Sequence, residues 1–237
     1  MTIRPAATVC LLRAGSEGME VLMVRRSSSS AFVGGAYVFP GGAVDDEDHS
    51  DLARRAVDGI DEPEMFPWAA AALREAAEEA GVLVMSQPDP ALLGLHGSDL
   101  YAALVGAGAK LEGGRLAYLS NWVTPVGETR RFDTRFFLAE VAPGTEAHAD
   151  EHEGTEVTWT SPAAALERAR TREWFVIPPT ALTLRTLARF DSPGEAVAFA
   201  VAQESVPRIE PRIVVGEGGS IQILMPGQAG YDDPSPL

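Results

Sequence analysis

The sequence predicts an α/β fold, in which the strands of a mixed sheet alternate with helices along the chain. Short runs rich in β-forming residues begin near residue 7 and recur as far as about residue 160. An alanine-rich helical pattern at residues 67–80 interrupts them, and further helical patterns follow residue 161. Strands and helices that alternate in this way are typical of α/β proteins.

Length and composition are those of one globular domain. The chain has 237 residues, against about 150 for an average domain. Hydrophobic residues make up 46% of the chain and charged residues 22%, a balance that allows a buried core. We therefore predict a single domain over residues 1–237, with its core at about 7–170, an insertion at 45–64, and a C-terminal extension of helices and a hairpin at 171–237.

The charge balance excludes two classes of partner. The chain carries 34 acidic and 19 basic residues, so its formal net charge of −15 disfavours nucleic acid and anionic membrane surfaces.

The one cysteine, Cys10, permits no internal disulfide, and no apolar run approaches the ~20 residues of a membrane span. Without a secretion signal at the N-terminus, these features predict a cytoplasmic location.

The first predicted strands lead into a glycine-rich loop. Two apolar runs within residues 7–26 flank Ser16-Glu17-Gly18, a pattern typical of a β-hairpin. A short strand, AYVFP, then ends at Pro40-Gly41-Gly42, residues that suit a loop closely approached by another group. The acidic insertion at 45–64 follows, and its composition predicts a solvated segment with a short helix near residues 52–57.

The most clearly marked element is the helix at residues 67–80. Pro67 suits its first position, and Gly81 suits the residue that ends it. Further along the chain the pattern predicts a strand at 82–85, a helical stretch at 90–107, strands over AYLSNWVTP, RRFDTRFFLAEVA and EVTWTS, a helix capped by Ser161, helices at 180–190 and 193–203, and a hairpin around 217–219. In RRFDTRFFLAEVA the alternation assigns Phe132, Thr134 and Phe136 to the core face and Arg131, Asp133 and Arg135 to the polar face.

The central helix concentrates negative charge on one side. Glu75, Glu78 and Glu79 stand at i, i+3 and i+4, so their carboxylates share a helical face. Such crowding destabilises the helix unless a cation compensates, and Mg²⁺ or Mn²⁺ prefers carboxylate oxygens. The alternative is a solvent-facing acidic helix with Arg74 as a partner. The nearby FPGG loop, whose Gly41 carbonyl offers another oxygen, favours the metal site.

In these residues the sequence resembles the Nudix hydrolase family, whose box is G-x5-E-x7-R-E-U-x-E-E-x-G-U, where U is a bulky apolar residue. The matching residues are Gly42, Arg74, Glu75, Glu78, Glu79, Gly81 and Val82. Two features depart from the box: Ala76 takes the U position, and Arg74 follows Gly42 by 32 positions where the box allows 14, so 18 residues are inserted. Asp48, Glu62 and Glu64 are candidates for the first box glutamate.

The resemblance covers roughly residues 8–166, and it is strongest to the subgroup that contains the peroxisomal coenzyme A diphosphatases and their bacterial relatives. It implies the Nudix α/β/α sandwich, a mixed sheet flanked by helices, with extra C-terminal helices. It also implies hydrolysis of a nucleoside diphosphate linked to another moiety, with coenzyme A or an acyl derivative favoured. In that chemistry a metal-activated water attacks the diphosphate. A noncatalytic Nudix-fold regulator that binds a nucleotide is the alternative, and a homodimer is compatible with the sequence.

The resemblance assigns roles to individual residues. The residues expected to bind Mg²⁺ or Mn²⁺ are Glu75, Glu78, Glu79 and the Gly41 carbonyl, with Arg74 supporting the carboxylates. A general base outside the box is expected in the acidic loop at 150–156, at Glu153 or Glu156, although a merely solvated loop is the alternative. Arginines suited to bind phosphates are Arg25, Arg26, Arg130 and Arg135.

Overall fold

The computed structural model describes residues 2–28, 33–149, 156–215 and 221–231. The strands are β1 Ile3–Gly15, β2 Gly18–Arg25, β3 Tyr37–Val38, β4 Gly41–Ala43, β5 Val57–Asp58, β6 Leu111–Glu112, β7 Ala117–Val123, β8 Arg131–Glu140, β9 Glu156–Thr160, β10 Arg208–Ile209, β11 Arg212–Val215 and β12 Ile221–Leu224. The helices are α1 Asp51–Ala56, α2 Phe66–Ala80, α3 Gly97–Ala107, α4 Pro162–Arg170, α5 Pro178–Leu187 and α6 Pro193–Val201. This order confirms the α/β class.

Eight of the described strands form one mixed sheet built around β1. Its order is β10-β7-β8-β1-β2-β3, and β4 also pairs with β1 while β9 pairs with β2. Strand β1 runs antiparallel to β2, with Leu12 opposite Val21, and parallel to β8, with Ala7 opposite Arg135. The predicted N-terminal hairpin is confirmed, and so is the mixed character of the sheet.

Helices cover both faces of this sheet because β1 is apolar on both. Val9 and Leu11 point into a core shared with α1, α2 and α3. The alternate residues Cys10 and Leu12 point into a second core, shared with α4, α5 and α6. All four side chains are fully buried. Successive strand residues point to opposite faces, so a doubly buried strand is apolar throughout rather than alternating.

Helix α2 begins and ends where the sequence predicts, to within one residue. It starts at Phe66, with Pro67 in its first turn, where the missing N–H costs no hydrogen bond. It ends at Gly81, which adopts the left-handed conformation at φ 61°. Seven of its residues are alanine, which lets the helix lie close to β1 and β4. Its carboxylates are thereby brought to the glycine-rich loop.

The insertion at 45–64 is solvated only in part, so that prediction is corrected: most of its acidic residues are exposed, but other residues enter the core. It contains the 3₁₀ turn Asp46–His49, helix α1, which confirms the short helix, and strand β5, which pairs with β6. Ala53, Ala56 and Val57 are buried, and α1 packs against α3. The average acidity of the segment conceals small apolar residues spaced to face the core.

Two further expectations are corrected in part. Residues 82–85 form no strand, although Val82 and Val84 are buried and the Val84 carbonyl accepts a hydrogen bond from Glu112 N at 2.8 Å. The C-terminal helices are present, with α5 starting two residues earlier than predicted and α6 ending two residues earlier. Strands β11 and β12 pair antiparallel, and the turn predicted at 217–219 lies outside the described residues. None of the helices in the described ranges has the length and hydropathy needed to cross a bilayer.

Candidate active site

A cleft of about 590 Å³ opens beside the glycine-rich loop. Its floor is formed by β4 and by Glu75 and Glu79 of α2. Strands β1, β7 and β8 form one wall, and the start of α5 and the segments around Pro211 and Ile223 close another. Its aromatic and apolar lining includes Phe39, Trp122, Val123, Phe132, Phe136, Ile177, Pro178, Pro179, Pro211 and Ile223. The cleft therefore joins an acidic end to an apolar wall.

Two consecutive glycines allow the carboxylates to approach the sheet. Gly41 N donates a hydrogen bond to Glu79 Oε2 at 3.0 Å. A Cβ added to Gly42 would overlap the carboxylate of Glu75, so a larger residue would have to displace that side chain. The predicted close approach is present, and the approaching groups are the box glutamates. Gly41 and Gly42 belong to the short strand β4, which pairs with β1, rather than to a loop as predicted.

Glu75 and Glu79 form a crowded pair of acidic groups. Only 12% of the Glu75 side chain is exposed, and Glu79 is buried. Burial is the largest cause and repulsion from Glu79 the second, and together they raise the pKa of Glu75 to about 8, although Arg74 acts in the opposite direction. Burial and the neighbouring Glu79 therefore disfavour the ionised form of Glu75.

Arg74 lies at the centre of the hydrogen-bond network beneath the cleft. Its Nε and Nη2 donate to Asp48 Oδ1 and Oδ2 at 2.9 and 3.0 Å, a forked pair. Its Nη1 donates to Glu75 Oε1 at 2.8 Å and to Glu78 Oε2 at 3.0 Å. Burial opposes the charged form of Arg74, but its hydrogen bond to Asp48 and the negative charges of Glu75, Asp48 and Glu78 outweigh burial and raise the pKa of Arg74. The Arg74 guanidinium therefore stays protonated and positively charged.

Asp48 occupies the position that sequence counting gives for the first box glutamate. It follows Gly42 by six positions and is fully buried against Arg74, whereas Glu62 and Glu64 are exposed. The inserted residues therefore lie between Asp48 and α2. Spacing from the opening glycine was the signal that pointed to Asp48.

Glu78 shares Arg74 Nη1 with Glu75 but differs from the other two carboxylates in its position relative to the cleft. Its Oε1 accepts a hydrogen bond from Gly97 N at 2.6 Å and its Oε2 is held by Arg74, and it does not line the cleft. Over the described ranges, no group of three or more Asp, Glu, His or Cys side chains is arranged to hold a metal ion. The structure thus brings two of the three predicted carboxylates together, next to the backbone of Gly41.

The predicted phosphate-binding arginines divide into two groups. Arg26 and Arg130 line the cleft, as does Arg4, which the sequence did not single out. Arg135 points the other way, with its guanidinium 3.7 Å from the centre of the Trp68 ring. Arg135 does not line this cleft, whereas the opposite face of β8, with Phe132, Thr134 and Phe136, does. Alternation gave the two faces of the strand but not which one meets the site.

The acidic residues expected to supply a base are not at the cleft in the part of the chain that the structure describes. Glu156 lies on β9 and pairs with Arg25 at 3.4 Å between Arg25 Nη1 and Glu156 Oε2, and neither residue lines the cleft. Glu153 falls outside the described residues. Glu128, in the β7–β8 connection, does line the cleft, and no sequence pattern had marked it.

This combination of a mixed sheet between helices, a glycine pair and a carboxylate-bearing helix defines a class of protein. A model of the NUDIX domain matches residues 2–178. The chain therefore belongs to the Nudix hydrolase family.

Individual relatives make the similarity more specific. The chain is 29% identical to the human protein named acyl-coenzyme A diphosphatase NUDT19, over 91% of this chain and 73% of that protein. It is 30% identical to the chicken protein of the same name, over 98% of this chain and 80% of the relative. A crystal structure of a NUDIX hydrolase from Alicyclobacillus acidocaldarius superposes with a TM-score of 0.74 at 33% identity, covering 84% of this chain and 96% of that one.

Proposed function

We propose that this chain hydrolyses the diphosphate bond of a nucleoside diphosphate derivative, with coenzyme A or an acyl-coenzyme A as the favoured substrate. The observation that carries the proposal is the cleft itself, where the Glu75–Glu79 pair and three arginines adjoin an apolar wall. Coenzyme A has the matching layout, a charged nucleoside diphosphate joined to a long, less polar arm. The names of the human and chicken relatives agree with this substrate class.

The residues at the acidic end fit a divalent cation. Burial and then repulsion from Glu79 raise the pKa of Glu75, so the pair favours a compensating positive charge. Carboxylate oxygens are the donors that Mg²⁺ and Mn²⁺ prefer. We assign Glu75, Glu79 and the Gly41 carbonyl as the protein ligands. When bound, the ion would supply a water of lowered pKa and charge neutralisation at the diphosphate. Glu78 is assigned to support Arg74 and α3 rather than to ligate.

The chain's own residues perform the remaining tasks. Arg4, Arg26 and Arg130 are placed to bind the phosphates, for which the forked guanidinium is suited. Arg74 keeps the Glu75 carboxylate oriented by its hydrogen bond at 2.8 Å. We assign Glu128 as the candidate general base in preference to Glu156, because Glu128 borders the cleft and Glu156 is paired with Arg25 outside it.

A substrate panel tests the activity. Coenzyme A, acyl-coenzyme A thioesters of increasing chain length, ADP-ribose and dinucleotides are incubated with the protein and Mg²⁺ or Mn²⁺, and released nucleotide is measured. We expect metal-dependent turnover that is highest for the coenzyme A compounds. Tight nucleotide binding without turnover would instead support the alternative, a noncatalytic Nudix-fold regulator.

The contribution of the apolar wall is tested at its edge. Ile223 lines the cleft with 46% of its surface exposed, so Ile223→Ala removes apolar surface from the cleft without creating a cavity in the core. We expect KM for a long-chain acyl-coenzyme A to rise by roughly 3- to 10-fold, because each buried methylene contributes about 0.8 kcal/mol. KM for coenzyme A itself should change less. Val201→Ala is the matched control, since Val201 is exposed and lies away from this cleft.

A further inference from the structure

We infer that Tyr101 is a positioning residue for the carboxylate pair, acting through Asp48 and Arg74. The tyrosine lies on α3 and is fully buried. Its hydroxyl donates to Asp48 Oδ1 at 2.7 Å and lies 3.2 Å from the Ala70 carbonyl. No atom of Tyr101 lines the cleft, so its influence on the site passes through the residues it holds. The catalytic consequence of this inference rests on the function proposed above.

Asp48 depends on the tyrosine because all of its acceptor positions are needed. Its Oδ1 accepts from Arg74 Nε and from the Tyr101 hydroxyl, and its Oδ2 accepts from Arg74 Nη2 and from Asp45 N at 2.9 Å. A carboxylate with no exposed surface must satisfy its charge from protein donors alone. Loss of one donor therefore leaves the carboxylate free to rotate toward another partner.

A rotation of Asp48 would be transmitted to the cleft. The guanidinium of Arg74 is planar and rigid, so the forked bond to Asp48 fixes the direction of its third nitrogen. That nitrogen, Nη1, holds Glu75 Oε1 at 2.8 Å. The path from the Tyr101 hydroxyl to a cleft carboxylate therefore consists of three consecutive hydrogen-bonded pairs.

Helix α3 supports the same network at a second point, one turn earlier. Gly97 N donates to Glu78 Oε1 at 2.6 Å, and Gly97 and Tyr101 are four residues apart, on one face of α3. The two contacts hold both ends of the Arg74 cluster, Asp48 on one side and Glu78 on the other. Helix α3 lies outside the Nudix box, which explains why the box alone gave no indication of it.

Tyr101→Phe tests the inference because it removes only the hydroxyl. We expect Mn²⁺ affinity, measured by titration calorimetry, and kcat each to fall by about 10-fold or more, as is typical when a residue that orients ligands is lost, with KM for substrate nearly unchanged. Tyr37→Phe is the matched control. Tyr37 is also buried, but its ring stacks on Trp174 at 3.9 Å and belongs to the opposite core, so both quantities should stay at wild-type values.

A double-mutant cycle with Asp48→Asn distinguishes positioning from packing. If Tyr101 acts through Asp48, Tyr101→Phe should have little further effect on Mn²⁺ affinity in the Asp48→Asn background. Additive losses would overturn the inference, as would a lowered melting temperature with unchanged Mn²⁺ affinity and kcat. Should Asp48→Asn fail to fold, Asp48→Glu takes its place in the cycle.

The metal titration separates this inference from the proposed function. Wild-type protein that binds Mn²⁺ but turns over no diphosphate would refute the function, and the coupling would still be read from Mn²⁺ affinity. An active wild type with additive losses would refute the inference and leave the function standing. Wild-type protein that binds no Mn²⁺ would overturn both.

Discussion

Gly42 illustrates how the absence of a side chain contributes to the site. A Cβ at this position would overlap the Glu75 carboxylate, so Gly42→Ala should push that group out of place. We expect at least a 10-fold loss of Mg²⁺-dependent turnover, measured on the substrate chosen from the panel. Gly106→Ala is the control, because Gly106 lies within α3 with open space around it. There, alanine should leave turnover unchanged and add roughly 0.5–1 kcal/mol of stability.

Glu79 provides the most direct test of the carboxylate pair. Glu79→Gln keeps the size of the side chain and an acceptor for Gly41 N, but it removes a charged ligand. If the pair holds the metal, kcat should fall by orders of magnitude while the apo melting temperature stays level or rises, since repulsion with Glu75 is relieved. Glu167→Gln, on the exposed side of α4, is the control. Unchanged turnover in Glu79→Gln would refute the metal role.

The pKa of Glu75 predicts a pH dependence of stability. Burial and Glu79 raise it to about 8, above the ordinary value near 4.5 that holds in the unfolded chain. The folded protein therefore keeps a proton that the unfolded chain has lost, so this group lowers stability as pH rises from about 4.5 to 8. Melting temperatures in EDTA should fall more steeply over this window for wild type than for Glu75→Gln. Added Mg²⁺ should offset the difference at pH 8.

Among the elements, the insertion between Asp48 and α2 combines an exposed acidic surface with a buried structural part. Asp51 and Asp61 are exposed, whereas Asp48 is buried at the site. We expect the double variant Asp51→Asn with Asp61→Asn to retain turnover within about twofold, because exposed charges contribute little. A turnover assay under the panel conditions checks this. A large loss would mean that the outer surface of the insertion contacts substrate.

The success of sequence reasoning differed between elements for physical reasons. Helix α2 was predicted well because Pro67 and Gly81 act locally, through backbone conformation. The prediction of a strand at 82–85 was wrong because a strand needs a pairing partner elsewhere in the chain, and the local sequence does not show whether one is present. The alternation in β8 did not show that Arg135 lies away from the cleft, because both faces of the strand are covered and a polar–apolar pattern does not distinguish a cleft from a core.

The candidate site was predictable only as far as its motif extends. Glu75 and Glu79 follow from the box, and Gly41 follows from the FPGG segment that precedes it. Asp48 was one of three candidates, and spacing to Gly42 pointed to it. Arg4, Glu128, Tyr101 and the C-terminal wall come together only through tertiary contacts that no local pattern records. The hydrogen bond that Glu78 accepts from Gly97 N of α3 is likewise a tertiary contact.

At the level of the whole molecule, the C-terminal helices are predicted to be part of a single folding unit. Leu184 and Leu187 of α5 and Ala196 of α6 are fully buried in the core that contains Cys10 and Leu12. A chain truncated after residue 178 would expose this apolar face of the sheet. We expect the truncated chain to be insoluble or to lose its cooperative thermal transition. A soluble, cooperatively melting fragment would show instead that residues 2–178 form a domain alone.

The buried thiol of Cys10 can serve as a probe for the opening of the central strand β1. The chain has one cysteine, it lies in β1 with no exposed surface, and burial raises its pKa, so it is unreactive while the sheet is intact. A thiol reagent can modify it only in molecules whose sheet has opened, and the labelling rate therefore reports that rare population. A ligand that binds only the folded state must slow the labelling in proportion to its occupancy. Unlabelled candidate substrates and metal ions can thus be ranked by the protection they give to a single sulfur atom, without any assay of turnover.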